Sequence, residues 1–144
     1  MAQAGETIIA GKVPGERIAT TTRTVNSSSF TTTETSIDSV TASVVIGRTY
    51  RVKWVTDVAS TVDGDVARVR IREDNGSGSV IQLTNIRCRN GRDIGFVLET
   101  EYTADATEDK TFVATCVRQD GTGTLALNAA SEEPALLYVE YLYG

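Results

Sequence analysis

Apolar and polar residues alternate along most of this chain with a period of two, the pattern of half-buried extended strands. Across residues 49–59, Tyr50, Val52, Trp54, Thr56 and Val58 share one face, and Arg51, Lys53 and Asp57 share the other. After the turn residues Asp63, Gly64 and Asp65, the apolar Ala67, Val69 and Ile71 alternate with Arg68, Arg70 and Arg72. One strand therefore presents three arginines on a single face. Further strands are predicted over residues 37–46, 80–89, 94–104, 111–119 and 125–127. They are separated by Gly47-Arg48, by Asn75 to Gly78, by Asn90-Gly91, by an acidic loop over residues 105–109, and by Gly121 and Gly123. No window carries apolar residues at helical spacing over three turns, so almost no helix is expected.

The two ends depart from simple alternation. Residues 18–35 are dominated by threonine and serine, whose β-branched members favour extended backbone. With a turn at residues 26–29, this segment predicts a hairpin or two edge strands. The C-terminal ALLYVEYLYG is apolar on both faces, with Leu137, Val139, Tyr141 and Tyr143 on one and Leu136, Tyr138 and Leu142 on the other. Such a strand belongs in the middle of a core or at an interface between subunits. Residues 1–16, with Gly5, Gly11, Pro14 and Gly15 around the apolar Ile8, Ile9 and Val13, read as an extended arm that crosses the surface or docks on a neighbour. Residues 17–144 then form one all-β domain of eight to ten strands. An antiparallel β-sandwich of jelly-roll type is the expected architecture. An immunoglobulin-like sandwich is the alternative, although Trp54 precedes both cysteines and the order Cys, Trp, Cys is absent.

Composition narrows the function. The net charge of -5 gives no basic field for a phosphate backbone, so nucleic acid is not an expected partner. No apolar run approaches the ~20 residues of a membrane helix, and the first residues lack the basic and apolar regions of a secretory signal. Synthesis and folding in a cytoplasm are expected. There Cys88 and Cys116 would stay as buried free thiols, with a disulfide open only if their strands are neighbours.

The chain has no histidine. That removes Ser-His-Asp and Cys-His nucleophile pairs and the usual histidine-based zinc site, and no glycine-rich phosphate loop is present. Paired carboxylates remain, Glu99 with Glu101 or Glu73 with Asp74, in the roles a glycosidase would need. A solvated strand face has the same appearance and is preferred. Asp57, Asp63 and Asp65, or Asp105, Glu108 and Asp109, could suggest calcium, but neither set follows the EF-hand spacing. No catalytic residue, cofactor or metal is assigned. Arg68, Arg70 and Arg72 are expected to pair with Glu99 and Glu101 on an adjacent strand, within or between subunits. The threonine array could form a glycan-binding or ice-binding surface, but no strict repeat carries it.

The segments PGERIATTTRTVNSSSFTTTET, GRTYRVKW, VRIREDN, LETEYTA, KTFVATCVR, GTGTL and PALLYVEYL follow one another from Pro14 to the C-terminus. In this order they resemble short Thr-rich virion proteins of tailed phages that infect actinobacteria. The resemblance implies a non-enzymatic structural protein at the virion surface, made in the host cytoplasm. A capsid decoration protein is expected, because only about sixteen residues precede the domain, too few for a fibre shaft. The alternative is a tail-tip or fibre-associated head that binds a host receptor or cell-wall glycan. A homotrimer touching the major capsid protein or tail proteins is the expected assembly, with the Ile8, Ile9 and Val13 arm on the lattice.

Overall fold

The computed structural model describes residues 13–144, which form nine strands. They are β1 (Arg17–Arg23), β2 (Thr35–Val44), β3 (Thr49–Ser60), β4 (Val66–Glu73), β5 (Val80–Arg87), β6 (Ile94–Thr103), β7 (Glu108–Asp120), β8 (Leu125–Asn128) and β9 (Ala135–Tyr143). One sheet has the order β1-β9-β3-β6, with β8 paired to the end of β3, and the other has the order β2-β7-β4-β5. Every pairing between these strands is antiparallel. The chain changes sheets at nearly every connection, so most neighbours in a sheet are distant in sequence. This is an antiparallel β-sandwich with jelly-roll strand order.

The alternating pattern decides which face of each strand is buried. On β3, Tyr50, Val52, Trp54 and Val58 are at most 1% exposed and Thr56 is 5% exposed. Ala67, Val69 and Ile71 of β4 meet them from the opposite sheet, together with Phe112, Ala114 and Cys116 of β7. The rings pack edge to face: Trp54 on Phe96 at 5.2 Å between centroids, and Tyr102 on Phe112 at 5.1 Å. Such contacts add about 0.5 to 1.5 kcal/mol each beyond area burial.

The Thr-rich segment folds as two edge strands, not as a hairpin. β1 edges one sheet and β2 edges the other, and the chain between them crosses the end of the sandwich. Phe30 anchors the crossing: it is 6% exposed and exchanges two backbone hydrogen bonds with Leu125. Burial of this one aromatic ring, on a polar segment without periodicity, draws the backbone away from a hairpin. The acidic loop is also shorter than expected, because Glu108 and Asp109 already belong to β7.

The doubly apolar C-terminal strand lies inside a sheet, between β1 and β3. Leu137, Val139 and Tyr141 are core residues, whereas Tyr143 is 56% exposed. A register shift opposite Thr49 and Tyr50 separates Tyr143 from the alternation of the other three. On the outer face, the Arg17 guanidinium lies 3.8 Å from the centre of the Tyr138 ring.

Candidate functional site

The arginine face of β4 is the most distinctive feature of the sequence, and its partner is not the expected one. β4 and β6 belong to different sheets, so Glu99 and Glu101 are not cross-strand neighbours of Arg68, Arg70 and Arg72. Alternation assigns a face to each arginine but says nothing about which sheet its strand joins. The carboxylate that meets Arg70 and Arg72 is Glu34, which precedes β2 on the crossing segment. Arg70 donates from Nη1 to Glu34 Oε1, and Arg72 donates from Nε to Oε2 at 2.6 Å and from Nη2 to Oε1 at 3.0 Å. Thr115 Oγ1 donates to Oε2 at 2.9 Å. The Arg72 hydrogen bond, with Thr115 and Arg70 assisting, holds the Glu34 carboxyl below its usual range. Arg72 also donates to the Gly78 carbonyl at 2.7 Å, which ties the loop after β4 to the sheet. Among the described residues, Arg68 donates only to Asn85 Oδ1, at 3.0 Å.

Glu34→Ala should cost about 1 to 3 kcal/mol, because two largely covered guanidiniums would face each other without a counter-charge, Arg72 keeping only the Gly78 carbonyl as acceptor. Urea denaturation of the variant measures that loss. Glu99 and Glu101 lie on the outer face of the other sheet. Glu99 approaches Arg51 at 3.7 Å and Lys53 at 4.0 Å, and Glu101 accepts from the Tyr143 hydroxyl at 3.4 Å. Both are exposed, which is the solvated-face arrangement. Glu73 and Asp74 both hold Lys110, at 3.1 and 3.0 Å. That pairing pins a turn in which Asp74 takes the left-handed φ of 72°.

Two buried carboxylates organise the interior. Asp38 of β2 points between the sheets, where Trp54 Nε1 donates to its Oδ2 at 2.9 Å and Arg23 Nε donates to its Oδ1 at 3.0 Å. Arg23 Nη2 also reaches Thr56 Oγ1 at 3.2 Å. Asp65 lies at one end of the sandwich and accepts from Ser60 Oγ at 2.7 Å, Gly123 N at 2.9 Å and Thr122 N at 3.2 Å. Gly121 makes this closure possible: its φ is +110°, and a Cβ there would fall 1.9 Å from Asp65 Oδ1.

The Ser60 hydrogen bond, with those from Gly123 and Thr122, holds the Asp65 carboxyl below its ordinary value of 3.8. A depressed carboxyl contributes stability that is present above its unfolded pKa and is lost as pH falls through the folded one. Asp65→Asn should therefore lower stability at neutral pH and flatten its decline below about pH 4. Denaturant midpoints measured across the acid range test this.

Beside this latch, the outer end of the first sheet carries a groove of about 300 Å³ lined by Asn26, Asp57, Asp93, Asn128, Ala129, Ala130 and Glu133. Asp57 stands between Gly95 of β6 and Asn128 of β8, and its carboxyl lies over Gly95, where a Cβ would come within 3.1 Å of Oδ1. Burial, and then the charge of Asp93, pushes the Asp57 carboxyl up. Asn128 Nδ2 donates to Asp93 Oδ1 at 2.5 Å. None of Asp57, Asp93 and Glu133 forms an ion pair among the described residues.

The two candidate calcium sets do not converge. Asp63 accepts from Asn90 N, Asp65 is enclosed by its latch, and no group of three metal-ligating side chains occurs among the described residues. Cys88 and Cys116 are free and buried, and burial pushes the Cys116 thiol up to about 12. Val13 is 46% exposed, and pairing with β9 begins where Gly15 N donates to the Tyr141 carbonyl at 2.7 Å. Ile8 and Ile9 lie outside the described residues. No helix is long and apolar enough to cross a membrane among the described residues.

No family model and no curated protein matches the chain. Solved structures do. The chain superposes on a protein of particles derived from infectious bursal virus with a TM-score of 0.51 and 12% identity, covering 89% of this chain and 36% of that one. It is also similar to VP2 of the infectious bursal disease virus subviral particle, with a TM-score of 0.48, 12% identity and coverage of 88% and 38%. The C-terminal domain of EclA, a sugar-binding protein, gives a TM-score of 0.40 at 12% identity, with coverage of 96% and 87%. At these identities the likeness is one of fold. The chain spans little more than a third of the two viral proteins.

Sequence reasoning missed Glu34 and the groove. Glu34 did leave a signal, since it is the only charged residue between Arg23 and Asp38. The groove left none, because its lining comes from four separate parts of the chain.

Proposed function

We propose that this chain is a non-enzymatic structural protein of a tailed-phage virion, a homotrimeric decoration protein on the outer capsid. Its partner is the major capsid protein, and it reaches the particle after synthesis in the host cytoplasm. The observation that carries this reading is how the buried and half-buried charges are used. Glu34, Asp38, Asp65 and Lys110 each hold a loop or a sheet in place within the protomer. Charge arranged this way makes a rigid module for display, whereas a catalytic pair would converge in a cleft. Jelly-roll order, and likeness in fold to a protein of viral particles, support the same reading. The ordered segments from Pro14 onward, in their resemblance to phage virion proteins, point the same way.

Attachment from individually weak contacts becomes tight when several copies bind together. The purified full-length chain should therefore cosediment with capsids that lack it, and saturate at a fixed ratio to the capsid protein. A chain that stays in the supernatant at every concentration would overturn capsid decoration. Removing residues 1–13 should leave a folded oligomer that no longer sediments with particles, and unchanged sedimentation would remove the arm from the docking surface.

A further inference from the structure

We infer that copies of this chain join head to tail, with the arginine face at β4 and β5 of one protomer seated on the carboxylate groove of the next. The inference rests on the homotrimer reading and names the surfaces that build it. A closed three-fold ring needs a heterologous interface, in which two unlike patches of the same chain complement each other.

The first patch is the outer face of β4 and β5. Leu83, Asn85 and Arg87 point outward along β5, and Arg68 stands opposite Asn85. Arg70 and Arg72 continue the face. Among the described residues, the only carboxylate within 4 Å of these four arginines is Glu34, a surplus of three positive charges in a chain whose net charge is -5. Leu83 is 45% exposed in the midst of them. Arginine beside an exposed aliphatic side chain is the composition of interface cores, where lysine and acidic residues are depleted.

The second patch is the groove at the β3 and β8 end. Asp57, Asp93 and Glu133 bring three carboxylates to it with no cation among the described residues that line it, and Ala129 and Ala130 supply an apolar wall. Asp57 and Asp93 repel each other, and burial raises the cost of their charge. A guanidinium between them would relieve both effects, since its planar fork can serve two carboxylates at once. Arg87 is exposed and has no hydrogen-bond or ion-pair partner within the described chain, so it can enter a neighbour's groove without breaking an existing contact. Leu83 on the same face would meet the alanine wall.

The test is the mass of the full-length chain by light scattering across a concentration series, with far-ultraviolet circular dichroism as the check on folding. The wild type should be trimeric at about 50 mM salt and lose subunits towards about 1 M, where the attraction that brings the two oppositely charged surfaces together is screened. Arg87→Glu and Asp57→Arg should each raise the concentration for half-assembly by about tenfold or more, and the double variant should recover most of that loss. Folded single variants that assemble like the wild type would overturn the proposed surfaces while leaving the trimer in place. So would a double variant no better than either single one. A wild type that remains monomeric at all concentrations would overturn self-association itself and leave the groove to a ligand from outside the chain.

Discussion

Replacing Asp38 by alanine should destabilise the domain by about 3 to 5 kcal/mol, the cost of removing one partner from a buried ion pair. Arg23 is only 12% exposed, and without Asp38 it would keep Thr56 and two backbone carbonyls as acceptors but no counter-charge. Trp54, fully buried, would lose the acceptor of its indole N–H. Both losses act where the edge strands β1 and β2 of the two sheets come together over Trp54 of β3. Asp38→Asn keeps an acceptor for Trp54 and removes only the charge, so it should fall between wild type and Asp38→Ala. Urea denaturation followed by Trp54 fluorescence ranks the three chains. Equal stability of Asp38→Ala and wild type would mean that the polar bridge contributes nothing.

Ending the chain at Pro134 should abolish cooperative folding. β9 is the strand between β1 and β3, so its loss would separate β1 from the sheet and expose the inner faces beneath Leu137, Val139 and Tyr141. Burial of a large apolar side chain contributes roughly 1.5 to 3 kcal/mol, and three of them together approach the whole stability of a typical domain. Removing Gly144 alone deletes one acceptor for the Tyr141 hydroxyl and should cost little. Circular dichroism and thermal melting of the two truncations make the comparison. A folded chain ending at Pro134 would contradict the central place of β9.

The strands of this fold were legible because its side chains obey the period-two rule closely. Tyr50, Val52, Trp54, Thr56 and Val58 identify β3 and its buried face without reference to any other segment. Partner choice was not legible in the same way. Arg68, Arg70 and Arg72 share a face by alternation, but whether Glu34 or Glu99 meets them depends on the sheet that β4 joins. That is settled by connections of many residues, not by any local pattern. Phe30 shows the same limit: one aromatic residue in a polar run gives no periodicity, yet its burial decides how the chain crosses between sheets. The groove with Asp57, Asp93, Asn128 and Glu133 exists only once β3, β6 and β8 are side by side. The apolar C-terminal strand was read as central or interfacial, and its place between β1 and β3 shows that a core strand can look like an interface in sequence.

If the proposed role holds, this chain is carried on virions, and the most direct test is to label purified virions from the source of this sequence with gold-conjugated antibodies raised against it. Gold distributed over the whole capsid shell is the expected result. Gold confined to the tail tip would contradict capsid decoration, and particles that bind no antibody would contradict a place at the virion surface.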